Sequence, residues 1–417
     1  MVVMSRKKHS SVVAVHPDDL ERQPPVMKPV ASSQYRLTWV AFFLLGLSNS
    51  IVINVVTSSA SEITTRFNIK KWIGIVSLAQ GIASIIVQGL NVFLERVPPR
   101  VSAMVTLVGF IIGTGLMIIW SETSVIAVML GTFVIGSAAA FGEISMLCSL
   151  RAFPVSMVGA WSSGSGGAGL AGSMLFLLLL RVLKLRLPVV FALMTPFLVM
   201  FGLAFTLADR NKKSFSTRSQ STSSSSSSGI EPVSCHKWSR SLALVYSHMV
   251  NIFLQNFMSY LMTALMAHTS GTMWKKGAGV GPLQNWMESS AFELLNVSFQ
   301  IGAFLARSSR PLFAIHRFTI LSVLQAINFA LYITHLHHRV MPLPAEMLLM
   351  LWMGALNGAA YVNIFYDISK EAHNPIPIAD RHFCIVIVGT CSSVAVVVQA
   401  AVQMAAPAIF PIFNHLD

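Results

Sequence analysis

Long apolar runs, parted by short polar breaks, govern what this chain can fold into. They fall at residues 37–58, 72–94, 101–120, 124–150, 155–180, 187–207, 241–266, 286–306, 317–334, 345–368 and 383–412. About 20 residues of helix cross the hydrocarbon core of a bilayer, and only helices or closed barrels satisfy the backbone there. The runs therefore predict an all-α polytopic membrane protein with about eleven transmembrane helices. Ten and twelve stay open, because Pro407 and Pro411 can split the end of the last run. Composition excludes a soluble alternative: 11% of the 417 residues are charged and 54% hydrophobic, with mean hydropathy +0.66. A globular protein carries roughly 25% charged residues.

The formal net charge is +13, but Lys and Arg stand at the ends of the runs and not on one folded face. That is the placement of membrane-flanking charges, and no nucleic-acid partner is expected. With the N-terminus in the cytosol, twenty of the 29 Lys and Arg fall on the cytosolic side, as the positive-inside rule requires. Residues 1–36 are polar and lack the apolar core of a signal peptide, so they read as a disordered cytosolic tail. Residues 208–240, with the serine run Ser223 to Ser228, read as a cytosolic linker. The linker separates a first bundle of six helices (37–207) from a second of five (241–417), a major-facilitator-like plan in two bundles.

Polar side chains inside a bilayer must face protein or a water-filled cavity. The first run carries Ser50, Asn54 and Ser58 at helical spacing, the second Gln80, Ser84 and Gln88, and the seventh Asn251, Gln255 and Ser259. The eighth carries Glu293, Asn296 and Gln300, with Arg307 further along the same face, and the tenth carries Asn357 and Tyr361. The third and sixth runs are almost wholly apolar, while the ninth, with Gln325 and Asn328, fits less cleanly. Striped helices in this order predict a cavity between the bundles. For any single amide, helix-to-helix glue remains the simpler reading.

Glu143 and Glu293 are the carboxylates placed well inside apolar runs. Glu143 is a candidate for proton coupling or substrate binding, with a structural hydrogen bond to a neighbouring helix the competing reading. The fifth run holds Trp161-Ser162-Ser163-Gly164-Ser165-Gly166-Gly167-Ala168-Gly169-Leu170-Ala171-Gly172. Gly164, Ala168 and Gly172 form one row of small residues, and Ser165, Gly169 and Ser173 another; such rows let backbones touch, and their glycines can also bend a helix. His335, His337 and His338 read as a loop cluster on the non-cytosolic side, and the sequon at Asn296 lies too deep to be glycosylated. No GxSxG, HExxH or phosphate-loop motif and no metal-ligand spacing occurs, so no enzyme and no cofactor is expected.

Several segments resemble the battenin family. They are Leu44 to Leu47 with Asn49; Gly142-Glu143 followed by Phe153-Pro154; Trp161 to Gly164 and Gly166 to Leu170; Arg307 to Ser309 with Arg317 to Thr319; and Gly358 to Asn363. They run in the family's order from about residue 40 to 400. The resemblance implies a lysosomal, late-endosomal or vacuolar multi-pass protein with a major-facilitator-like fold, distantly similar to equilibrative nucleoside transporters. It also implies export of a small polar metabolite by alternating access, a glycerophosphodiester first. Basic amino-acid transport with vacuolar pH homeostasis, and a non-transporting trafficking role, are the alternatives. The chain departs from the family in its short segment 59–71 and in Asn251, where animal members have a carboxylate. Asn54, Glu143, Gln255, Glu293, Gln300, Tyr361 and Asn363 are expected to line the path, with Ser162, Ser163, Gly164, Gly166, Gly167 and Gly169 supplying close packing. Arg307 has the chemistry to pair with a phosphate, although at the end of its run it reads first as a flanking charge.

Overall fold

The structure is a computed structural model, and its described residues are 32–69, 72–91, 97–150, 153–154, 156–219, 235–269, 286–287, 290–309, 315, 317–338, 341–370, 376–377 and 380–409. Thirteen α-helices are described: α1 (Ser32–Ser58), α2 (Ala60–Arg66), α3 (Gly74–Asn91), α4 (Pro99–Trp120), α5 (Val125–Ser149), α6 (Ser156–Phe176), α7 (Leu187–Ala192), α8 (Thr195–Ser219), α9 (Cys235–Thr269), α10 (Ala291–Ser308), α11 (Phe318–His338), α12 (Leu343–Ser369) and α13 (Arg381–Ile409). A π-helical segment, Leu177–Val182, extends α6.

Helix boundaries follow local chemistry. Pro99 opens α4, where a missing N–H costs nothing. Ser124 caps α5, its hydroxyl accepting from the Ala127 N–H at 3.4 Å. Eight helices among the described residues are long and apolar enough to cross a membrane. The shorter α3 and the more polar α9 and α10 occupy the remaining apolar runs.

Helix pairing repeats itself. Within the first half α1 packs on α6 and α3 on α5; within the second, α9 packs on α13 and α10 on α12. Two seams join the halves, α6 against α10 and α3 against α13. Backbones come very close in these pairs: a Cβ added to Gly302 would strike the Leu351 carbonyl, and one on Gly354 the Phe299 carbonyl. The outer surface is apolar. Met104 and Ile111 of α4, Val199 and Leu203 of α8, and Ile320 and Ile327 of α11 are exposed, as side chains meeting lipid tails must be.

Four features differ from the sequence expectation. Segment 59–71 is not a plain loop, because α2 forms within it. The sixth run breaks at Leu193–Met194, because Pro196 has no N–H to donate to the Ala192 carbonyl four residues earlier and its ring crowds that carbonyl in a continuous helix. Helices also reach into the expected linker 208–240, since α8 continues to Ser219 and α9 starts at Cys235. A helix already nucleated in the membrane extends at little cost into polar sequence. The run Ser223 to Ser228 and the tail before Ser32 lie outside the described residues. Finally, His335 belongs to α11 and not to a loop, and it is buried 3.7 Å from Glu346.

Candidate functional site

A cavity of about 280 Å³ lies between the two halves. Among the described residues its wall carries eight carboxamides and ten hydroxyls, with Glu143 and Arg307 as the charged groups. The polar faces of α1 and α3 enter through Ser50, Asn54, Gln80 and Ser84; α12 contributes Asn357 and Tyr361. A smaller cavity of about 110 Å³ adjoins it, and Ser50, Ile53, Ser84, Glu143, Tyr361, Ser392 and Ser393 line both.

A polar bridge runs from one half to the other, and two of its members, Glu143 and Tyr361, line both cavities. Tyr361 of α12 donates its hydroxyl to Glu143 of α5. Arg307 of α10 lies over the Tyr361 ring, its guanidinium carbon 4.3 Å from the centroid, close enough for a cation–π attraction. Its Nη1 donates to the Ser165 hydroxyl of α6 at 3.0 Å. Glu143, Tyr361, Arg307 and Ser165 thus form one chain across four helices, with a cation and a carboxylate both against Tyr361.

The two rows of α6 face different partners. A Cβ on Gly164 would fall on the Phe43 carbonyl, and one on Gly172 would lie 3.2 Å from Asn54 Cβ, so this row seats α1. A Cβ on Gly169 would overlap the Gln300 carboxamide and Ser165 accepts from Arg307, so the other row seats α10; Gly166, next to that row, also meets α10, its Cβ position 2.9 Å from Arg307 Cδ. Gly167 stands between them, its Cβ position 3.4 Å from Phe304 and 3.5 Å from Leu47. Ser162 and Ser163 are buried in the same helix.

Of the expected lining residues, Asn54, Glu143, Gln300, Tyr361 and Arg307 lie on the cavity wall. Three others lie elsewhere. Gln255 is fully buried on the face of α9 that meets α11, where Asn251 accepts from Ser322 at 2.6 Å and Ser259 accepts from Gln325 at 2.7 Å. The stripe on that face is helix-to-helix glue, and it accounts for Ser322 and Gln325 of α11 as well. The next face of α9 supplies the cavity instead, with Asn256, Tyr260 and Thr263. Their spacing of four and three residues is a helical row visible in the sequence but masked by the neighbouring one. Glu293 is 5% exposed and is held by Arg181, whose Nη2 and Nε reach Oε1 at 2.6 and 2.8 Å. This ion pair ties α10 to the π-helical end of α6, and beside it Asn296 donates to Ser58 of α1 at 3.2 Å. Asn363 accepts from the Ile315 N–H at 3.1 Å and so holds the segment leading into α11. Gln399 and Gln403 of α13 also line the cavity, and their four-residue spacing was the available signal.

Comparison with known proteins agrees with this architecture. The family profile described as CLN3 protein matches residues 40–241 and 209–410. The Battenin of Dictyostelium discoideum is 26% identical over 384 residues, covering 83% of this chain and 88% of that one. Protein BTN1 of Yarrowia lipolytica is 26% identical over 391 residues, covering 88% and 93%. Among solved structures, the proton:xylose symporter XylE bound to 6-bromo-6-deoxy-D-glucose superposes with TM-score 0.63 at 14% identity, covering 93% of this chain and 94% of that one. A bacterial homolog of the human lysosomal transporter Spinster, inward-facing and unoccupied, gives 0.51 at 13%, covering 91% and 84%. The helix pairing, the cavity between the halves and the match over nearly the whole membrane domain converge: this chain is a multi-pass membrane protein of the battenin (CLN3 protein) family, with a major-facilitator-like fold.

Proposed function

We propose that the chain is a lysosomal or vacuolar transporter that moves a small polyol bearing one anionic group, a glycerophosphodiester being the best fit, by alternating exposure of the central cavity. The observation that carries this reading is the wall itself: Arg307 as its one cation among the described residues, seated among carboxamides and hydroxyls. Hydroxyls and amides can exchange hydrogen bonds with a polyol, and a guanidinium pairs bidentately with a phosphodiester. A basic amino acid would bring a second cation beside Arg307, with the nearby carboxylate already engaged by Tyr361. A pure trafficking factor has no need of such a wall. The cytosolic N-terminus and the division into bundles 37–207 and 241–417 belong to the same proposal, as does a proton on Glu143 as the coupling ion.

The test is uptake of radiolabelled glycerophosphocholine into vesicles holding the purified protein, with metabolite profiling of lysosomes or vacuoles alongside. Uptake should be present for the unaltered protein, lost for Arg307→Ala and partly kept for Arg307→Lys. Vesicle uptake that is indifferent to Arg307→Ala would overturn the reading.

A further inference from the structure

We infer that Gly169 and Gly166 determine selectivity, acting as positioning residues through Gln300 and Arg307, while Gly164 on the same helix serves packing alone. The inference rests on reading the cavity as the substrate site.

The distinction lies in which atoms an added methyl group would meet. At Gly164 the nearest atoms are the carbonyl of Phe43 and the amide nitrogen of Leu47, all backbone. No side-chain rotation relieves that overlap, so α1 and α6 would have to part. At Gly169 the three nearest atoms all belong to the Gln300 carboxamide, the far end of a flexible side chain. A methyl there leaves the helices in place and evicts the carboxamide from its seat. Both Gly169 and Gln300 line the cavity, so side-chain volume at position 169 sets where that donor and acceptor stand relative to the cargo. Gly166 has a mixed neighbourhood, with Arg307 Cδ at 2.9 Å and Phe304 Cα at 3.3 Å. A methyl there presses on the stem of the arginine, whose head is fixed by Ser165 on one side and the Tyr361 ring on the other. Gly169 therefore governs the group that would read hydroxyls, and Gly166 the group that would read the anion. The carboxamide, able both to donate and to accept, suits the glycerol end of a phosphodiester.

Glycerophosphocholine uptake by vesicles carrying the full chain tests this. Gly169→Ala should leave folding intact and raise KM about tenfold, the worth of one misplaced hydrogen bond, with the maximal rate little changed. In a Gln300→Ala background the same substitution should add nothing. Gln300→Asn, which withdraws the amide by one methylene, should recover part of the loss. Gly164→Ala should instead lower the yield of folded protein. An unchanged KM for Gly169→Ala, or an equal KM rise with and without Gln300, overturns the inference while leaving the transport reading intact. Absence of uptake in the unaltered protein, or uptake indifferent to Arg307→Ala, brings down the transport reading and this inference together.

Discussion

The ion pair between Arg181 and Glu293 joins the two halves at the end of the cavity away from the start of α1, and its removal has a calculable effect. The carboxylate is 5% exposed and both arginine nitrogens approach one of its oxygens, at 2.6 and 2.8 Å. Truncating one member of a buried pair costs about 3–5 kcal/mol because the other is left uncompensated. Here the arginine side chain is 35% exposed, so water already shares part of the field and the cost should fall to about 2 kcal/mol. Since 1.4 kcal/mol is a tenfold change in an equilibrium, opening at that end should become roughly 30-fold easier in Arg181→Ala. Glu293→Gln keeps the shape and loses the charge, and should cost about 1 kcal/mol. A double-mutant cycle read by thermal unfolding of the purified protein should then show positive coupling. A cysteine at Ser58, beside the Asn296 hydrogen bond, reports opening through its rate of maleimide labelling once the native cysteines are replaced. Labelling should accelerate in Arg181→Ala and return toward the starting rate in the charge-swapped pair Arg181→Glu with Glu293→Arg. If Arg181→Ala leaves both melting and labelling unchanged, the pair does not hold the halves together.

Three further outcomes are expected. Gln255→Leu should be neutral or stabilising by about 1 kcal/mol, because both polar atoms of Gln255 are buried without a partner among the described residues; uptake should survive it and fall in Asn256→Ala. Gly302→Ala and Gly354→Ala should each destabilise by about 2 kcal/mol or more, since α10 and α12 would have to separate. Gly89→Ala and Gly115→Ala, which meet open space, should be tolerated, and size-exclusion profiles of the four variants would show the contrast. Asn363→Ala should cost about 1 kcal/mol through the lost hydrogen bond to Ile315, measured as a lower melting temperature with transport kinetics unchanged.

Hydropathy marked most helices to within a few residues because lipid imposes a length and a polarity on each crossing segment. It was blind to what happens along the rotational coordinate. Helix α9 presents two polar rows side by side, and nothing local distinguishes the one that meets Ser322 and Gln325 from the one that meets the cavity. Only the packing of α11 decides. Glu293 was legible as costly but not as paired, since its partner stands 112 residues away at the end of another helix. The cavity placement of Arg307 was hard to read for a related reason. Its position one residue before the end of α10 suggests a flanking charge, and the space that draws it inward is made by a glycine on α6.

That pairing also depends on how α6 is wound. From Gly169, which faces α10, to Arg181 is a step of twelve residues. At 3.6 residues per turn a regular α-helix would carry the arginine about 120° past that face. The π-helical stretch Leu177–Val182 takes roughly one extra residue per turn, which withdraws about 100° of the excess. The wide turn therefore works as a phase shifter. It lets one helix offer small residues to α10 along its middle and a guanidinium to the same neighbour at its end. Regular winding over the same twelve residues would swing Arg181 about 120° away from Glu293, whereas deleting a single leucine from Leu177–Leu180 would let the helix wind regularly with Arg181 still facing it. The irregularity, rather than any one side chain, is what keeps the two contacts in register.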